Sequence, residues 1–228
     1  MATATSQATG LLRVDLHIHT SFSPDGSSTP RDVVEICEKV GLSCVAITDH
    51  NTIAGALEAC ATSSIPIIIG EEVMTSDGEV IGLFLKREVP RGLSPTDTMR
   101  AIREQGGLVC IPHPFDRFRS GLLRRVEPDG LLPLIDIIEV YNARTFFPTD
   151  NRSARRFAEE HRLLVCAASD AHTPEELGHT FVEMPQFDGT AKGFMKALRN
   201  ARLVTQRGNP AYRLRSAYTK LMRFLGHA

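Results

Sequence analysis

A repeated alternation constrains this chain more than any other feature. Eight short apolar runs, "LLRVDLHIH", "SCVAITDH", "IPIIIGEEV", "EVIGLFL", "GLVCIPHP", "IDIIEVYNA", "LLVCAASDAH" and "TFVEM", are mostly separated by segments of helical periodicity. In "TPRDVVEICEKVG", Val33, Ile36, Cys37 and Val40 share one face. Thr29 is placed to cap that helix, Pro30 to start it and Gly41 to end it. "SPTDTMRAIREQGG" has the same grammar, and "NRSARRFAEEHR" is a third helical segment. Strand-like runs alternating with helices imply βα units and a parallel sheet. About seven units in roughly 200 residues suit a closed or nearly closed α/β barrel better than an open sheet.

Composition narrows the function. Of the 228 residues, 42% are hydrophobic and 23% charged, so a core can form without disulfide staples. A net charge of −1 offers no broad positive field, and no stable nucleic-acid partner is implied. The five cysteines form no C-x-x-C pair, which argues against a disulfide scaffold or zinc knuckle and for a reducing, cytoplasmic setting. The opening "MATATSQATG" has neither a basic start nor an apolar core, so residues 1–10 are expected to be a flexible tail. No apolar run reaches the roughly 20 residues needed to span a bilayer. One barrel domain is expected over residues 11–207, followed by a basic helix over 208–228.

Ionisable residues gather at the C-terminal ends of the apolar runs. His17 and His19 end the first, Asp49 and His50 the second, and Glu71 and Glu72 the third. His113, Arg144, Asp170 and His172 follow later runs. In parallel α/β folds that edge builds the ligand site. Residues two apart on a strand face the same way, so His17 and His19 project together and Asp15 is expected beside them. Many acids gathered at one place require a cation between them. Imidazole mixed with carboxylate suits zinc, manganese or iron.

The strings "DLHIHTSFSPDG", "ITDHN", "GEE", "IPHP" and "SDAH", in this order, resemble the PHP (polymerase and histidinol phosphatase) superfamily over about residues 13–185. The resemblance implies a distorted seven-stranded, TIM-like β/α barrel with two or three divalent metal ions. It also implies phosphoester hydrolysis, with a hydroxide bridging two of the ions as the nucleophile. His17, His19, Asp25, His50, Glu72, His113, Asp170 and His172 match the family's ligand and catalytic positions, Glu72 being the bridging acid. Glu79 stands where many relatives have a further histidine; it would either bind a third ion, favouring manganese, or stand in solvent. Asp15 has no place among the ligands and is expected to orient a ligand imidazole from behind.

Arginine forks grip phosphate oxygens in pairs, and Arg117 and Arg144 are the candidates for that role. His161 is expected to face solvent, His227 to lie in the tail, and His179 to sit at a strand edge. Two other functions fit less well. A metal amidohydrolase would want a lysine at a strand end, and none is there. A non-catalytic, partner-binding barrel would not need the full ligand set. About 40 residues separate Glu72 from His113, too few for an inserted domain, so an open site is expected. It would take a small phosphorylated molecule, a nucleotide or an oligonucleotide end. In the C-terminal stretch, Leu214, Tyr218, Leu221, Met222 and Leu225 form an apolar stripe that is expected to pack on the barrel. Peripheral contact with an anionic membrane is the alternative.

Overall fold

The computed structural model describes residues 10–119 and 121–226; His227 and most of the expected N-terminal tail lie outside them. Nine strands form one curved, nearly closed sheet: β1 (Leu11–Ile18), β2 (Cys44–Ile47), β3 (Ile67–Met74), β4 (Glu79–Leu83), β5 (Leu108–Ile111), β6 (Ile137–Asn142), β7 (Leu164–Ala168), β8 (Phe181–Pro185) and β9 (Arg202–Val204). Their order is β7-β6-β5-β4-β3-β2-β1-β8-β9. The sheet closes at its C-terminal edge, where Ile18 bridges Ala171 and the His19 amide donates to the Ala171 carbonyl at 2.8 Å.

The barrel expected from the sequence is present, with two departures. The described residues form nine strands rather than seven, and the sheet is mixed. β1–β3 and β5–β7 pair in parallel, but β4 runs antiparallel to β3 and β5, and β8 and β9 are antiparallel too. The reason for β4 is local. Only four residues separate β3 from β4, too few for a helical crossover, so the chain turns back as a hairpin at Thr75–Gly78.

Among the described residues six α-helices flank the sheet: α1 (Pro30–Val40), α2 (Ala54–Thr62), α3 (Pro95–Glu104), α4 (Pro148–His161), α5 (Ala191–Leu198) and α6 (Pro210–Phe224). Thr29 and Asp32 close a capping box on α1, and Gly41 ends it in the left-handed conformation. The small-residue helix α2 carried no clear periodic signal in the sequence. None of the described helices is long and apolar enough to cross a membrane.

The barrel interior is filled by Val14, Leu16, Cys44, Ile81, Cys110, Ile137 and Cys166, with Phe194 of α5 packed against them. Val45, Ile47 and Ile18 turn outward to the helices, among Val33, Cys37 and Ala56. Phe194 is fully buried. Phe194→Ala should therefore lower unfolding free energy by about 3–5 kcal/mol, read as a shift of the urea midpoint.

Helix α6 departs from expectation. Most of its apolar stripe does not pack on the barrel: Leu214 is 74% exposed, Tyr218, Leu221 and Leu225 are exposed as well, as is the neighbouring Phe224 at 86%, and Met222 is half-buried. The opposite face, carrying Arg213, Ser216, Lys220 and Arg223, turns inward. Arg223 donates to the Ser21 and Ser23 carbonyls, and Lys220 lies 3.8 Å from Asp25. Polar partners on the barrel rim outcompete burial of the stripe, because the rim presents carbonyls and carboxylates rather than apolar surface.

Candidate metal centre

The C-terminal ends of β1, β2, β3, β5 and β7 converge on Glu72. Its Oε2 lies 3.0 Å from His50 Nδ1, 3.4 Å from His19 Nε2 and 3.5 Å from His17 Nε2, and its Oε1 lies 3.1 Å from His113 Nε2. Strand alternation sends the neighbouring Glu71 the other way, where it accepts the Val89 amide at 2.8 Å. Burial pushes the Glu71 carboxyl up to about 7.

Asp170 adds a second acid, with Oδ1 3.6 Å from His17 and 3.5 Å from His19. Asp25 Oδ1 lies 3.4 Å from His172 Nε2 and 3.6 Å from His50 Nε2. Glu79 is buried rather than solvated and stands 3.7 Å from His113. All nine residues proposed as ligands thus lie in one cluster. Three of its groupings have donor atoms mutually within 4.8 Å: His19, His50 and His172; His17, His19 and Glu72; and His50, Glu72 and Glu79.

The hydrogen bonds behind the imidazoles fix which nitrogen faces the cluster. Glu139 can only accept, so His17 Nδ1, 3.1 Å from its Oε1, carries the proton. Asp49 accepts from the Thr20 amide, the Thr20 hydroxyl and Ser23 Oγ. Ser23 Oγ therefore accepts from His19 Nδ1 at 3.0 Å. His172 Nδ1 donates to the Asp170 carbonyl at 2.9 Å. All three rings consequently aim an Nε2 lone pair inward. The Nε2 atoms of His17 and His19 face each other at 3.0 Å, and His172 Nε2 faces a carboxylate oxygen. Lone pairs directed at lone pairs repel unless positive charge sits between them. The donor set therefore fits divalent cations, and the outer bonds are those that orient imidazole ligands.

The surrounding carboxylates draw positive charge to the same place, a proton where no cation is bound. Burial alone would lower the His17 and His50 imidazoles. The carboxylates nearby, Asp170, Glu72 and Glu139 for His17 and Glu72 and Asp25 for His50, overcome it and hold both well above the usual value. His19, buried among His172 and His50, is driven well below. Burial opposes ionisation of Glu72 and Asp170, yet the imidazoles beside both, and Arg119 beside Asp170, hold the two carboxyls well below the usual range. Glu79 is raised by burial and by Glu72.

Two local devices place the ligands. A Cβ at Gly26 would overlap the Thr20 carbonyl, so only glycine allows the Ser23–Gly26 turn that returns Asp25 to the cluster. Among the described residues, five non-glycine positions have positive φ, and three of them, Asn51, His113 and Asp170, are at the cluster or next to it in the chain. Such backbone persists only where the surroundings over-determine it.

Two sequence expectations are corrected here. Asp15 does not touch an imidazole. β1 carries an extra residue between Asp15 and Ile18, so Asp15 pairs in register with the outward-facing Val45. Its Oδ1 accepts the backbone amides of Ser169 and His17, and burial raises its carboxyl to about 7. Glu139, which the sequence reading did not single out, orients His17 instead. Its signal was an acid inside the apolar run "IIEVYN". Arg117 also leaves the site: it pairs with Asp150 at 2.6 Å and stacks on Phe147. Arg119, two residues on, is the arginine that enters. It pairs with Asp170, lies 3.1 Å from Asp116 and donates to Asn142 at 3.0 Å.

The cluster opens into a cavity of about 390 Å³ lined by Asp25, His50, Glu72, Glu79, His113, Asp170 and His172. Arg91, Arg119, Arg144, Arg213 and Lys220 line it too, so α6 bounds one side of a mouth expected to be open. Arg144 reaches the Asp170 carbonyl at 3.4 Å and Ser216 of α6 at 2.5 Å. His179 and His161 are exposed and do not line this cavity.

A family model described as PHP-associated matches residues 148–203. An uncharacterised protein of Methanocaldococcus jannaschii is 33% identical over 181 residues, which is 78% of this chain and 72% of its own length. A second protein of that organism is 41% identical over 145 residues, 58% of this chain and 82% of its own. A solved two-domain protein of Bacteroides vulgatus, named for a PHP-like metal-dependent phosphoesterase, superposes with a TM-score of 0.73 at 19% identity. The match covers 92% of this chain and 71% of that one.

Replacing Glu139 by Ala frees the His17 ring, and manganese affinity should fall by about 10–100-fold in calorimetric titration. Asp15→Asn should cost less, because Asp15 holds backbone rather than an imidazole. The reverse ranking would return Asp15 to the role first expected of it.

Proposed function

This chain belongs to the PHP superfamily, and from that premise we propose that it is a metal-dependent phosphoesterase. The carrying observation is the convergence of four histidines on Glu72 at the mouth of the barrel, with arginines lining the same cavity. Divalent ions bound there, two or three in number, would acidify a water near neutral pH and absorb negative charge as phosphorus is attacked.

The residues divide the work. His17, His19, Asp25, His50, Glu72, His113, Asp170 and His172 would hold the ions, with Glu72 at the centre of the set. Glu79 offers a further oxygen, which with Glu72 makes the third grouping oxygen-rich and favours manganese over zinc there. Glu139, Asn142 and Ser23 keep the ligands aimed: Asn142 donates to Glu139 at 2.9 Å and to Asp170 at 3.0 Å. Arg119 and Arg144 are set beside Asp170 at the cavity, where a phosphate would compete for them with the acids they pair with in its absence. Arg119 takes over the role first assigned to Arg117, because its guanidinium lines the cavity and that of Arg117 does not.

With manganese added, the protein should hydrolyse p-nitrophenyl phosphate. Glu72→Ala or Asp170→Ala should reduce the rate about a hundredfold or more. Full activity in either folded variant, or in protein stripped by a chelator, would overturn the assignment. Arg119→Ala should chiefly raise KM for the phosphoester.

A further inference from the structure

The cavity carries more positive charge than its own acids take up. Arg119 is paired with Asp170 and Asp116, and Arg144 Nε lies 3.5 Å from Glu176. Arg213 differs. It lines the cavity from α6 and is only half-buried. Among the described residues no carboxylate lies within ion-pair distance of it; its neighbour is the Phe146 ring, 5.8 Å away. Burial lowers its basicity, as do the cations Arg119 and Arg144, while the more distant carboxylates of Asp116 and Asp170 partly offset them. Arg91, in the loop between β4 and α3, also lines the cavity with no carboxylate within ion-pair distance among the described residues.

The seating of α6 explains how Arg213 is held there. Arg213, Ser216, Lys220 and Arg223 recur at intervals of three, four and three, which is one helical face. Ser216 is pinned by Arg144, Arg223 by two carbonyls of the Asp25 loop, and Arg215 by Glu175 at 2.7 Å. These polar pins fix the helix while its apolar stripe stays in solvent. A helix whose fastening exposes its apolar side and brings unpaired guanidinium to a cavity is arranged for an anion entering that cavity. Lys220 lies two turns from Arg213, about 10 Å along the helix axis, and lines the same space.

We propose that Arg213, supported by Lys220 and Arg91, binds a second anionic group of the substrate, so that the enzyme prefers bisphosphorylated small molecules to simple monoesters. This rests on the phosphoesterase reading: one phosphate is hydrolysed at the Glu72 cluster, and the other is held at α6.

The test compares butyl phosphate with 1,4-butanediol bisphosphate on the manganese-loaded full chain. Wild type should favour the bisphosphate in kcat/KM by about tenfold or more, as one added charge-assisted contact gives. Arg213→Gln should erase most of that preference, chiefly through KM, and Arg213→Lys should restore part of it. Arg100→Gln removes one positive charge from the exposed face of α3 and should keep the preference, which separates a local subsite from net charge. Equal preference in wild type, or a preference unchanged in Arg213→Gln, would overturn the subsite. If neither compound is hydrolysed, the phosphoesterase reading fails on its own. The subsite is then read by calorimetric binding of the bisphosphate: about tenfold weaker binding in Arg213→Gln upholds it, and equal binding sinks it.

Discussion

Much of this molecule follows from one crowded carboxylate. Glu72 is buried with four imidazoles within 3.5 Å, and Asp170, Asp25 and Glu79 stand close by. Such a cluster is unfavourable in a dry interior unless cations complete it. Around it the chain spends its specific geometry: the bulge in β1, the glycine turn before Asp25, and positive φ at His113 and Asp170. The apolar interior behind the cluster supplies the rigidity that holds these features in place.

Behind the ligands stands a layer that makes them usable. Glu139, Ser23 with Asp49, and the Asp170 carbonyl each bind the Nδ1 of one histidine. By accepting that N–H they leave the Nε2 of His17, His19 and His172 facing inward. Arg119 and Asn142 then hold Asp170 from its other side. The proposed chemistry rests on this two-layer arrangement rather than on the barrel alone, which hosts many reactions.

Helix α6 shows how composition misleads when the partner surface is unknown. A stripe of Leu214, Tyr218, Leu221 and Leu225 reads as a buried face, since most amphipathic helices bury theirs. The surface it meets is the mouth of a charged site, with carbonyls from Ser21 and Ser23 and the carboxylate of Asp25. Against such a surface the basic face makes the contacts, and the stripe is left in water.

The sequence by itself determined the barrel class and the gathering of ionisable residues at strand ends, because alternating apolar runs dictate a βα sheet and that sheet sends strand ends to one edge. Glu79, at the start of β4, stayed open between a metal and solvent, and only the fold buries it beside Glu72. The sequence picks Glu72 over Glu71 by the family resemblance, and strand alternation says only that the two face opposite ways. It did not determine what departs from strict period. Two-residue alternation put Asp15 beside His17, and an inserted residue in β1 broke that relation. It pointed to Arg117 rather than Arg119, because both follow the same strand and only the fold of their loop sends one to Asp150 and the other to Asp170. It did not orient α6. Periodicity reports which residues share a face; only the tertiary structure decides which face meets which neighbour.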